Sequence, residues 1–164
     1  MKSHHILAAS VFLASLCSSC VSFYELPAGH AGPTAVIRST GKPVNSVKAE
    51  GYYIVEVNGK SARHSPMATP RGGGMGISLE QKTVQVPCES LDLKLSGGNI
   101  YAADGVAMAD SMVGGNHSVS GRITFTPKAN GDYTVTGTTG KDYTAVWIVD
   151  NKTGKISSNK VEKR

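Results

Sequence analysis

Residues 90–96, SLDLKLS, alternate strictly, with Leu91, Leu93 and Leu95 on one side of an extended chain and Asp92 and Lys94 on the other. Strand side chains point alternately to opposite faces, so this stretch fits a sheet with one dry and one wet face and no 3.6-residue helical period. The same period returns after His117, where Val119, Ile123 and Phe125 alternate with Ser120, Arg122 and Thr124, and again where Tyr133 and Val135 alternate with Asp132, Thr134 and Thr136. These two runs, separated by PKANG, are expected to be neighbouring antiparallel strands. Residues 143–149, YTAVWIV, are apolar on both faces, as in a strand covered on both sides, with Trp147 the leading core candidate.

Between these segments the chain is punctuated by turn residues. Residues 33–38 form a first strand candidate, 39–50 a polar loop, and 51–57, GYYIVEV, a β-branched and aromatic strand running into Asn58-Gly59. Asn-Gly is a strong hairpin signal because both residues tolerate positive φ. The second arm, 60–64, is polar and is followed by Pro66 and Pro70, which limit any strand there to an edge. RGGGMG at 71–76 reads as a mobile loop tip, since glycine imposes the least backbone restriction. Residues 77–86 read as a strand, Gly97-Gly98 as the end of the leucine strand, 99–109 as an irregular strand with an Asp104-Gly105 turn, and 110–115 as a loop. A tight turn at 151–154 precedes a weak last strand at 155–161. Short strands, 19 glycines and no long helical pattern predict an all-β fold. The expected form is an antiparallel sandwich or small barrel of about seven to nine strands.

The N-terminus carries different information. Lys2, His4 and His5 form a positive start, and an apolar run from Ile6 to Leu16 is closed by Cys17, Ser18 and Ser19. Its length of about eleven residues suits a signal peptide, whereas a spanning helix needs about 20. Residues 1–19 are therefore expected to be removed, 20–32 to form a tether with little structure of its own, and 33–164 to fold as one domain.

The junction Cys17-Ser18-Ser19-Cys20 resembles the lipobox of bacterial lipoproteins, in which two small residues precede a cysteine that is acylated and becomes the mature N-terminus. Cys17 departs from the pattern, which usually has leucine there; Leu16 sits one place too early. The resemblance implies lipid attachment at Cys20 and anchoring in a membrane, and Val21, rather than aspartate, implies sorting to an outer membrane. The strand pattern of the remainder resembles transthyretin-like and immunoglobulin-like secreted modules, without the Cys…Trp…Cys spacing of true immunoglobulin domains.

The formal charge is +5, with basic residues spread along the chain. The densest run, Lys152, Lys155, Lys160, Lys163 and Arg164, has no interleaved aromatics, so nucleic acid is not an expected partner. With Cys17 and Cys20 in the processing region, Cys88 is left alone and is expected to be buried near a strand start.

Catalytic signatures fail on spacing. Gly59-Lys60-Ser61 would close a phosphate loop only with a glycine where Ile54 stands, and it falls in a hairpin. Ser39-x-x-Lys42 and Lys152-Thr153-Gly154 echo motifs of penicillin-recognising enzymes, but Pro43 follows the first directly and no helix is expected. His30, His64 and His117 are far apart, and Asp104 and Asp110 lack the alternating oxygen ligands of a calcium loop, so neither a metal nor another cofactor is expected. The chain is expected to be a non-enzymatic binding or structural module of the cell envelope, anchored in the membrane through Cys20 and facing an envelope protein or polymer. A small envelope hydrolase, or a periplasmic inhibitor or immunity protein acting through residues 63–76, are the alternatives. The candidate binding residues are His64, Arg71 and Met75, in a loop able to reach a partner.

Overall fold

A computed structural model describes residues 22–70 and 76–164. Two sheets face one another in an all-β sandwich. One has the strand order β10-β9-β8-β1-β5 and the other β2-β3-β6-β7, with β4 paired to β3. The first contains β1 (Thr34–Arg38), β5 (Thr83–Pro87), β8 (Asp132–Thr138), β9 (Thr144–Asp150) and β10 (Val161–Lys163). The second contains β2 (Thr40–Pro43), β3 (Lys48–Val57), β4 (Lys60–Ser61), β6 (Leu91–Tyr101) and β7 (Ser118–Phe125), and α1 (Asp104–Met112) lies between β6 and β7. All strand pairs are antiparallel except β1 with β8, which is parallel.

The leucine alternation sets the core. Leu91, Leu93 and Leu95 are fully buried on the inner face of β6, opposite Val135, Val146 and Ile148 of the other sheet. Each such side chain contributes about 1.5–3 kcal/mol by leaving water. On the outer face Arg122 bridges Asp92, at 2.6 Å, and Glu56, which also pairs with Lys94; exposed pairs of this kind contribute about 0–1 kcal/mol each. The hairpin at Asn58-Gly59 forms as expected, with φ of 49° and 77° at its two central residues. This is the pair of positive angles that matches the right-handed twist of β3 and β4.

Several elements differ from the sequence expectation. The polar stretch 39–50 contains β2 and the start of β3, because Thr40 to Pro43 pair with Tyr52 to Ala49 at the sheet edge. The strand expected over 77–86 is confined to β5, preceded by one bridge between Met67 and Leu79. Gly97-Gly98 does not end β6 but lies inside it, where neighbours come too close for a side chain: a Cβ on Gly98 would lie 2.3 Å from the His117 carbonyl oxygen. The runs at 117–125 and 132–136 are strands but not neighbours. β7 pairs with β6 and β8 with β9 and β1, and they meet across the core, where Phe125 packs edge-on against Tyr133 at 5.2 Å. Trp147 is half-buried, with the Lys160 ammonium 4.6 Å from its ring centroid, while Val146 and Ile148 supply the core face of β9. Cys88 follows β5, half-buried against the core and unbridged.

Residues 22–32 are not a loose tether where they begin. Ser61 donates its N–H to the Ser22 carbonyl at 2.9 Å and accepts from the Tyr24 N–H at 2.8 Å, while the Tyr24 side chain packs against the core.

Candidate functional site

Of the side chains expected to meet a partner, only His64 is described, and it is 1% exposed. Arg71 and Met75, like Cys20 and the signal segment, lie outside the described residues. His64 is a structural residue. Its Nδ1 accepts the Ile54 N–H at 3.1 Å, which leaves the proton on Nε2 to be donated to the Ile37 carbonyl at 3.1 Å. One ring therefore joins β3 of one sheet to β1 of the other. Burial lowers its pKa to about 4, against the backbone groups of Ile37 and Lys82, which favour the charged ring. Arg63, just before it, takes a left-handed φ of 47°, which turns His64 inward while the Arg63 guanidinium lies 3.3 Å from the Phe23 ring centroid.

A cleft of about 470 Å³ opens between β2 and β8 and is lined by Thr40, Lys42, Glu50, Tyr52, Thr138 and Thr139 among others. The Tyr52 hydroxyl donates to Glu50 at 3.0 Å and shares a 2.8 Å hydrogen bond with Thr139. Burial first, and the Glu50 carboxylate after it, raise the Tyr52 pKa to about 12, so this phenol keeps its proton at neutral pH.

The other feature is α1. The sequence reads as an irregular strand over 99–109 with an Asp104-Gly105 turn and as loop over 110–115, but the chain forms α1 over Asp104–Met112; alanine and methionine favour helix, and Gly114-Gly115 supply a helix stop. Gly114 takes φ of 71°, its N–H bonds to Ser111 O at 3.1 Å, and the Gly115 N–H bonds to Asp110 O at 2.8 Å. These two bonds with a left-handed glycine are a Schellman closure. None of the helix residues is buried. Met108, Met112 and Val113 are 69%, 83% and 80% exposed, and Val44 on the adjoining β2–β3 turn is 51% exposed.

Polar contacts hold this exposed helix to the sandwich. Asp110 Oδ2 accepts from Lys48 Nζ and from the Tyr101 hydroxyl, both at 2.6 Å. The Lys48 ammonium also reaches the Gly115 carbonyl at 3.2 Å, to which Asn99 Nδ2 donates at 2.7 Å. The Lys48 hydrogen bond, followed by that of Tyr101, holds the Asp110 pKa below the usual carboxylate range. Burial and Asp110 together push Tyr101 up to about 12. A groove of about 290 Å³ runs between the helix and the β2–β3 turn, lined by Asn45, Lys48, Val106, Ala109, Asp110 and Val113.

The β2–β3 turn is bonded both to the start of α1 and to the chain that follows the glycine-rich stretch. Ala102 N–H bonds to Val47 O at 2.9 Å just before α1, and Ile77 N–H bonds to Ser46 O at 2.7 Å just after the glycine-rich stretch. The far side of that loop thus returns to the same end of the sandwich as α1. Ser22 and Tyr24 join the fold at Ser61, beside the opposite end of β3. Ten residues of β3 separate the two ends, about 30 Å at ~3.3 Å per residue.

Among the described residues no serine, threonine or cysteine side chain is hydrogen-bonded to a histidine ring, no group of three metal-ligating side chains converges, and no helix is long and apolar enough to cross a membrane. No family model, curated protein or solved structure matches the chain.

Proposed function

We propose that this chain is exported, acylated at Cys20 and held at a bacterial outer membrane, where it acts as a non-enzymatic binding module whose α1 end engages another envelope protein. The observation that carries the binding role is a helix fixed by the Asp110, Lys48 and Tyr101 contacts while Met108, Met112 and Val113 face solvent. A pinned helix showing flexible, polarisable methionines fits an adaptable protein contact. Lipid is not the occupant of this surface, because α1 lies at the end of β3 away from Ser22 and hence away from the anchor. An inhibitor role would use the same end, since the chain leaves the glycine-rich loop beside Ser46. His64 is unsuited to a hydrolase, because both ring nitrogens are committed to backbone groups in the core.

Photo-cross-linking in intact cells tests the docking surface. A photoreactive residue at Met112 is expected to give discrete protein adducts that weaken when Asp110→Asn loosens the helix, while the same probe at exposed Thr124 on β7 gives none of them. Identical adducts from both positions, or none from Met112, would remove α1 as the contact.

A further inference from the structure

We propose that the surface formed by Phe23, Lys60 and Arg63 lies against the anionic phosphate headgroups of the bilayer that holds Cys20. This rests on the reading of Cys20 as the acylated N-terminus and adds to it a defined orientation of the domain.

Chain length makes the first part of the case. Cys20 precedes Ser22 by two residues, so the Cys20 Cα lies within about 7 Å of the Ser22 Cα, and Ser22 is held by the fold. The Ser22 carbonyl and the Tyr24 N–H are both bonded to Ser61, and Phe23 bridges to it. A domain gripped this close to its lipid cannot swing freely. The side chains around Ser61 are carried to the headgroup layer, within the roughly 8–10 Å over which surface charge acts at physiological salt.

The side chains there suit that layer. Phe23 is 42% exposed, one of the few large apolar residues left open to solvent. Arg63, also exposed, stacks on its ring at 3.3 Å, and Lys60 is exposed at the hairpin turn beside it. Neither cation forms an ion pair among the described residues, whereas Arg38, Lys48, Lys82, Lys94 and Arg122 all do. Two cations without a carboxylate partner, one of them stacked on an aromatic ring at the point of chain entry, match anionic phosphate by charge and an acyl–water boundary by polarity. The same orientation carries α1 about 30 Å outward along β3, where it can reach a protein.

Acylated full-length protein in a Cys88→Ser background, carrying an environment-sensitive fluorophore on Lys60→Cys or Met112→Cys, would be reconstituted into phosphatidylglycerol–phosphatidylethanolamine vesicles with a headgroup quencher. Acylation of Cys20 is checked by intact mass in the same samples. Quenching at position 60 is expected to exceed that at 112 several-fold, and to fall towards the value at 112 with Arg63→Glu, with Arg63→Gln and in neutral phosphatidylcholine vesicles. Equal quenching at both positions in acylated protein overturns the orientation and leaves the anchor standing. Quenching at 60 that ignores Arg63 and lipid charge overturns the headgroup contact. An absent acyl mass overturns both.

Discussion

Gly137→Ala will lower the stability of the sandwich by about 3 kcal/mol, at the upper end of what overpacking a β core costs, and lower Tm by roughly 10 °C. A Cβ at Gly137 would sit 2.2 Å from the Ala145 carbonyl oxygen on the paired strand and 2.5 Å from the Tyr52 ring. The ring could swing aside, but the carbonyl belongs to the β8–β9 ladder and cannot. Tyr52 is confined from the other side as well, since a Cβ at Gly97 would lie 2.8 Å from it. The ring fills the space left by two glycines on facing sheets, and this directs its hydroxyl to Glu50 and Thr139. Gly59→Ala is the comparison. Its φ of 77° is strained for alanine, but nothing lies within 4 Å of the added atom, so the loss is only about 1–2 kcal/mol. Urea midpoints of the two variants separate the effects; equal losses would show that backbone strain, not the crowding around Tyr52, governs these glycines.

Stability will fall by about 3 kcal/mol as pH drops from 6.5 to 4 through His64 alone, the 2.5-unit difference corresponding to ~1.4 kcal/mol per unit. The folded ring stays neutral down to about pH 4, whereas the ring in the unfolded chain protonates below its ordinary value of 6.5. Between these limits the unfolded state binds the extra proton, so stability rises with pH. Below about 4 both states are protonated and this contribution stops changing. His64→Leu removes the pH dependence and leaves the Ile54 N–H and Ile37 carbonyl without their buried partner, at a cost of roughly 2–4 kcal/mol at pH 7. Chemical denaturation at pH 7, 5.5 and 4.5 measures both effects. An unchanged slope in His64→Leu would assign the acid sensitivity to other groups.

What the sequence made legible was local. Leu91, Leu93 and Leu95 alternate within one strand, and Asn58-Gly59 fixes its own turn, so neither depends on distant residues. Gly97-Gly98 looked like a strand end because what demands glycine there, Tyr52 on one side and the His117–Ser118 backbone on the other, arrives from elsewhere in the fold. His64 stood among polar and proline residues with no period to mark it as core, and its two backbone partners are 10 and 27 residues away. Trp147 read as core because an apolar run does not say which of its two faces is covered; Lys160 caps the outer one. α1 was missed because Asp104-Gly105 reads as a turn and the nine-residue helix is too short and too exposed to show a strong apolar stripe. Its methionines, followed by Gly114-Gly115, were the available signal.

The proposed acylation of Cys20 underlies both the proposed orientation of the domain and the outward placement of α1, and one measurement addresses it directly: intact mass and membrane fractionation of wild type and Cys20→Ala expressed in a bacterial host. A diacylglycerol-sized mass increase on a chain beginning at Cys20, membrane association of the wild type and release of Cys20→Ala to the soluble fraction are the predicted results. An unmodified mature chain, soluble in both cases, would contradict the account and leave a freely diffusing sandwich in its place.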